Sequence, residues 1–292
     1  MKPVDIAIAI GVAMVWGVGF IASRLALYEL SPVVMTAVRF SIAAVPCLFL
    51  RRPDVPWQLL VTASLCLFMG QFLAQAYGIT HGVPVGLLSV IVQSQALFTI
   101  AFAALAFHEI PTRVQIVGIG VATVGLLMIC GTVGYDFSLA AFAVVMTCPL
   151  TFAIGNLLVR KAGKAPMFEL FSWLSLISAV PLLALVPVTD GVEPALQSLR
   201  NMSLTGWLSV FTIGAITTSV AYWLWGRLLR DYPAAQVVPF ALLVPFIGSA
   251  SSAIVFGERF GPLRLAGMIT VVAGIAIMLL YGRPKTVPQA PA

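Results

Sequence analysis

Long apolar runs set the first bound on this chain. Ten stretches of about 20 residues, nearly free of charge, follow one another at about 4–23, 32–50, 57–80, 83–107, 113–131, 137–159, 167–188, 204–226, 233–256 and 263–282. A helix crossing a bilayer needs about 20 apolar residues at a rise of about 1.5 Å each. Short polar joints separate the runs: "RRPDVP", "HGVP", "HEIPTR", "RKAGKAP", "RLLRDYP" and "ERFGP". Proline within or just after such a joint stops one helix and starts the next. The expected fold class is an all-α integral membrane protein of ten transmembrane helices. Residues 189–203 read as the one substantial loop, and residues 283–292 as a disordered, Pro-containing tail.

Composition agrees. Hydrophobic residues make up 61% of the chain and charged residues 9%, against about 45–50% and about 25% in soluble domains. So few charges cannot clothe a water-facing surface. The net charge of +6 does not imply a nucleic-acid partner, because basic residues stand singly or in pairs between apolar runs and form no stripe. Cys47, Cys66, Cys130 and Cys148 lie inside apolar runs without CxxC spacing, so neither a disulfide framework nor a zinc site is expected. The first run, "VDIAIAIGVAMVWGVGFIA", exceeds the apolar core of about 7–15 residues typical of a signal peptide, and is kept as a span.

Loop Lys and Arg set the orientation. With the N-terminus in the cytoplasm, the inside holds Lys2, Arg51, Arg52, Arg113, Arg160, Lys161, Lys164, Arg227, Arg230, Arg283 and Lys285. The outside holds Arg24, Arg200, Arg259 and Arg264. Both termini are therefore expected inside, in a multi-pass protein of the cell's inner (plasma) membrane.

The chain also repeats itself. At an offset of 149, Pro84 meets Pro233, Ala101 meets Ala250 and Ala104 meets Ala253. Phe107 then meets Phe256, Glu109 meets Glu258, Gly118 meets Gly267 and Gly125 meets Gly274. Earlier in each half, "MVWGVGF" resembles "MTCPLTF" and "AQAYG" parallels "SVAYW". The unit is five helices used twice, residues 1–135 and 136–282. Five is odd, so the second copy enters the membrane from the opposite side, an inverted repeat of the kind many secondary transporters use. Glu109 and Glu258 each end one helix just before the next, where a carboxylate meets exposed N–H groups and the positive end of a helix dipole. Capping and gating both remain open for them. Glycines seven apart on one face let membrane helices approach closely.

These residues resemble the EamA type of the drug/metabolite transporter superfamily. The carriers are "VWGVGF", "SPVVMTAVRF", "FHEIPTRVQIVGIGVATVG" and "FGERFGPLRLAGMITVVAG". The resemblance covers essentially the whole chain. It implies a ten-helix exporter of small metabolites, often amino acids, with a central cavity; within the superfamily the chain resembles the YddG-like aromatic amino acid exporters. The second copy departs from the first with "CPL" where the first has "WGV", and with Trp173 in place of Arg39. A site built on those positions cannot be two-fold symmetric.

Several polar and aromatic residues fall inside spans. Arg39 lies seven residues past Pro32, so about 10 Å into the second helix. A central arginine costs at least about 2.5–3.5 kcal/mol by insertion scales. Anchoring and substrate contact are both open for it. Gln71 and Gln75, four apart, share a helix face; Gln93 and Asn156 add mid-span amides. An amide in hydrocarbon is costly unless hydrogen-bonded, whether by a neighbouring helix or in a wet cavity. Gln95 is not expected to share a face with Gln93. Trp16, Tyr77, Trp173, Tyr222 and Trp223 are candidates for an apolar wall, or for packing and interfacial belts. Pro149 is expected to break the sixth helix, and Pro239 and Pro245 the ninth, either exposing backbone near the midplane or simply kinking the helix.

No GxxxxGK[ST], HExxH or GxSxG occurs, and both histidines, His81 and His108, sit at helix ends. No mid-membrane Asp or Glu offers a proton relay. The expectation is a secondary carrier, not an enzyme, without cofactor or metal, functional as a monomer and exporting small metabolites, foremost amino acids including aromatic or neutral ones, by alternating access. A carrier of another small molecule, such as a drug or sugar conjugate, is the alternative; a membrane-embedded enzyme would need an acid–base or metal cluster that the sequence lacks.

Overall fold

The computed structural model describes residues 1–107, 110–134, 136–163, 165–232 and 234–281. The chain is an all-α, multi-pass membrane bundle. Its helices are α1 (Pro3–Leu27), α2 (Pro32–Leu48), α3 (Trp57–Thr80), α4 (Val85–Ala106), α5 (Arg113–Cys130), α6 (Leu139–Lys161), α7 (Met167–Thr189), a short α8 (Val192–Arg200), α9 (Leu204–Asp231), α10 (Val238–Phe256) and α11 (Pro262–Tyr281). Among the described residues, nine of these are long and apolar enough to span a membrane, and α2 is a shorter apolar helix. Its last turn tightens over Val45–Leu48 around Pro46, which ends the helix before the run of apolar residues does.

Helix starts follow local chemistry. The Ser31 hydroxyl accepts from Val34 N with Pro32 at the first helical position, Ser138 caps α6 and Ser203 caps α9. Thr112 and Gln115 form a reciprocal capping box at the start of α5. The expected loop 189–203 instead contains α8. Gly191, at a φ of 78°, turns the chain into that helix, whose Ala195 is buried while most of its other residues face outward. Residues 283–292 lie outside the described residues, as does Glu109.

The closest-packed pair is α5 with α11. A methyl group on Gly118 would stand 2.7 Å from Gly274 O, and one on Gly125 2.7 Å from Gly267 O. As the number rises along α5 it falls along α11, so the two helices run antiparallel. Each glycine thus meets the repeat copy of the other: Gly118 faces Gly274, the counterpart of Gly125, and Gly125 faces Gly267, the counterpart of Gly118.

Two kinds of irregularity cut the spans. In α4, helix gives way to a turn at Ser94 between Val85–Gln93 and Gln95–Phe107. In α10, residues Val238–Leu242 form a 3₁₀ stretch containing Pro239 before the α-helix resumes at Leu243; Pro245 lies within the resumed helix. Wide π turns occupy Leu65–Gly70 of α3 and Thr212–Val220 of α9. Pro149 does not break its helix: α6 runs through it without interruption.

Candidate functional site

The spans enclose a chamber of about 430 Å³. Lys2 N donates to the Tyr232 hydroxyl, which donates to Asp5 Oδ2, so the start of α1 and the end of α9 share one end of the bundle. The chamber reaches Arg160, Met167, Leu229 and Val238, which lie at the end of the bundle that also carries Met1. At mid-depth it meets Trp16, Arg39, Gln71 and Gln93.

The far end is drawn together by one carboxylate. Glu258 Oε1 accepts from Val85 N at 2.8 Å and from Arg24 Nη1 at 2.7 Å, and Oε2 accepts from Gly86 N at 3.0 Å. The sequence expectation had Glu258 facing the helix that follows it. In the structure it caps α4, a helix from the other half of the chain. Gly257 at the end of α10 has a φ of 65°, a left-handed conformation that reverses the chain there and presents Glu258 to α4. The Arg24 guanidinium also lies 4.3 Å above the Phe256 ring. A second polar cavity of about 240 Å³, bordered by Pro84, Asp136 and Arg259, adjoins this clasp.

Arg39 is 2% exposed, so it does not snorkel to the membrane surface. Its Nε and Nη2 donate to Thr218 Oγ1 at 3.2 and 3.1 Å, and its Cζ lies 3.7 Å over the Phe72 ring. Thr218 is placed by the π turn of α9, where its hydroxyl donates to Ile213 O five residues back. The same irregular stretch offers Thr217 O, which accepts from Trp16 Nε1 at 3.2 Å.

Trp16 packs against Tyr222 and Trp225 at 5.4 and 5.0 Å between ring centroids, and Tyr222 stacks on Phe171 at 4.6 Å. All four rings line the chamber. A chain of amides lines it as well. Asn156 Nδ2 donates to Gln95 Oε1 at 3.4 Å, Gln95 Nε2 donates to Gln93 Oε1 at 3.4 Å, and Gln93 Nε2 donates to Ala241 O at 2.6 Å. That last carbonyl lies in the 3₁₀ stretch of α10, so the two interrupted spans bond to each other. Gln95, read as facing away from Gln93, lines the chamber with it because the turn at Ser94 resets the helix phase.

Of the residues picked out in the sequence, Trp16, Arg39, Gln71, Gln75, Gln93, Asn156 and Tyr222 line this chamber. The other three lie elsewhere. Tyr77 stacks on His81 at 3.7 Å, Trp173 donates from Nε1 to Arg51 O at 3.1 Å beside Trp57, and Trp223 is 48% exposed against Phe168. Arg24, Trp225, Thr217 and Thr218 were not singled out. Trp225 sits in "AYWLWG", where Tyr222 and Trp225, three apart, share one helix face that Trp223 does not. Among the described residues no cluster of three or more His, Cys, Asp or Glu could hold a metal ion.

Fold and chamber together define a polytopic helical membrane protein built around an internal cavity, largely apolar with a few inward-facing polar groups. Comparison with known proteins carries this further. The model of the EamA-like transporter family matches residues 5–131 and again 139–280, and the chain belongs to that family. It is 32% identical over 284 residues to a probable amino-acid metabolite efflux pump of Salmonella typhimurium, covering 95% of each chain. It is 31% identical to a protein of the same description from Escherichia coli strain K12, again over 95% of each. A solved crystal structure shares the fold at a TM-score of 0.65 and 14% identity, covering 95% of this chain and 98% of that one.

Proposed function

We propose that this protein is a secondary carrier that exports small amino-acid-like metabolites across the inner membrane by alternating access. The observation that carries the reading is the chamber: it extends toward one end of the bundle, while a charged clasp between the two halves of the chain draws the other end together. The names of the two efflux-pump relatives support the cargo class. Neutral and aromatic amino acids are the proposed cargo, since seven aromatic side chains and several uncharged amides line the space.

The architecture proposed is ten crossings in two inverted five-helix halves, residues 1–135 and 136–282, with α2 as a crossing and both termini in the cytoplasm. The exchanged glycine contacts of α5 and α11 support an internal two-fold relation, as isologous contacts do between subunits. On this reading the chamber opens to the cytoplasm and Glu258 gates the outer side with Arg24. The interrupted spans at Ser94 and Pro239, together with Pro245 beyond, are where α4 and α10 bend. Trp16, Arg39, Gln71, Gln75, Gln93, Asn156 and Tyr222 form the cargo site, which one chain completes without a partner.

The test is flux of a labelled amino-acid panel through purified protein in liposomes. Saturable flux of neutral or aromatic members, abolished by blocking the chamber with a bulky label at Asn156→Cys, is expected. No flux of any member refutes the cargo class.

A further inference from the structure

The chamber is electrically lopsided. Among the described residues, its lining includes Arg39 and Arg160 but no Asp or Glu. Arg160 already has an interaction partner. Arg39 has only a neutral one. Its Nε and Nη2 share a single hydroxyl, Thr218 Oγ1, which is itself committed to Ile213 O. One face of the guanidinium is covered by Phe72. The remaining nitrogen, Nη1, has no hydrogen-bond partner among the described residues and is not sealed off from solvent-sized space. In a residue that lines the chamber, that donor is available to a bound group.

A full charge placed at mid-span without a counter-ion is kept at a cost. The described ion pairs, Arg24 with Glu258, Arg227 with Asp5, Arg227 and Arg230 with Asp231, and Arg264 with Asp136, all leave Arg39 out. The guanidinium fork matches a carboxylate, and a bond between the two is charge-assisted on both sides. Also on the lining, Gln75 is 4% exposed, has no hydrogen-bond partner among the described residues, and has neither amide atom sealed off. It offers an uncharged acceptor to an ammonium group. A cation lacking a carboxylate meets uncharged amides and rings on the lining, no carboxylate among the described residues there, and the repulsion of Arg39.

Resting on the carrier reading above, we infer that Arg39 is the docking point for the cargo's carboxylate. The chamber therefore selects zwitterions and anions that carry a carboxylate, with the apolar side chain against the Trp16–Tyr222 wall, and rejects the corresponding amides and decarboxylated amines. The asymmetry of the repeat serves this selection. Trp173, which stands where the second copy would place its arginine, points its indole at Arg51 O outside the chamber, so a single anion site exists in a doubled fold.

The experiment measures thermal stabilisation of the full-length protein in lipid nanodiscs. The probes are L-phenylalanine and L-leucine, their amides, and phenethylamine and isoamylamine. The acids are expected to bind about 10- to 100-fold more tightly than amide or amine, the loss appropriate to one charge-assisted hydrogen-bond pair. R39Q should erase that preference, and R39K should restore part of it. If amide or amine binds as tightly as the acid, or R39Q keeps the preference, the inference is overturned while the carrier reading stands. If nothing in any head-group form binds or is carried, both fall. Should R39Q fail to fold, the head-group series on the unmodified protein decides alone.

Discussion

Gly274 and Gly120 separate helix packing from helix propensity within one structure. A methyl group on Gly274 would stand 2.5 Å from Ala122 N and 2.6 Å from Gly118 O, both backbone atoms. On Gly120 it would meet nothing within 4 Å. Ordinary contact begins near 3.4 Å, so G274A forces α5 and α11 apart by roughly 0.8–0.9 Å. Overpacking of this kind costs about 1–3 kcal/mol, against a gain of about 0.8–1 kcal/mol from replacing glycine by alanine in a helix. The net expectation for G274A is a loss of up to about 2 kcal/mol, and for G120A no loss or a gain of up to about 1 kcal/mol. At about 2–4 °C per kcal/mol, G274A should unfold up to roughly 8 °C lower than the parent in a detergent melt, and below G120A. G125A, the repeat counterpart, meets Val271 N at 2.6 Å and Gly267 O at 2.7 Å, so its cost should match. Once one substitution has parted the helices the second should cost less, because neighbouring sites are not additive. If G274A melts no lower than G120A, close backbone approach is not what joins these two helices.

Three further expectations concern the site and its surroundings. E258Q removes the ion pair to Arg24 and weakens the cap on α4, so a cysteine at Ser23, which lines the chamber, should react with an impermeant maleimide added outside; unchanged labelling in a cysteine-free background refutes the gate. W16A removes a ring packed on Tyr222 and Trp225, and flux of phenylalanine should fall about 10-fold while that of alanine changes little; an equal fall for both would show a folding defect. Glu29 accepts from Ser203 Oγ and Ser203 N, both at 2.6 Å, and these bonds hold its carboxyl below the ordinary value of 4.5. A depressed carboxylate stabilises the fold fully above pH 4.5 and loses that contribution as the pH falls through its folded value. E29Q should therefore flatten the acid limb of a melting-temperature profile below that pH, and an identical limb in both proteins would count against the bond.

Much of the bundle is legible because its causes are local. Ser31 before Pro32, Thr112 with Gln115, and Ser203 before Leu204 start helices wherever the chain places them. The glycines of α5 and α11 were readable as a packing face, though not as partners of one another. The helix phase of α4 was misread at Gln95, since the turn at Ser94 carries no proline or glycine to announce it. Pro149 misled in the other direction, because a helix can accommodate a proline where its surroundings re-satisfy the freed carbonyl.

Hydropathy and loop punctuation alone determined that this chain lives in lipid as a set of helices, since both depend on a residue and its near neighbours. The doubling at an offset of 149 was likewise open to inspection. Only the tertiary structure decided that Glu258 caps α4, that Arg39 rests on Thr218 and Phe72, and that Tyr77, Trp173 and Trp223 stand away from the chamber while Trp225 joins it. Those outcomes turn on which distant segments meet and on the phase each helix keeps after a π turn or a break, and no local pattern encodes either.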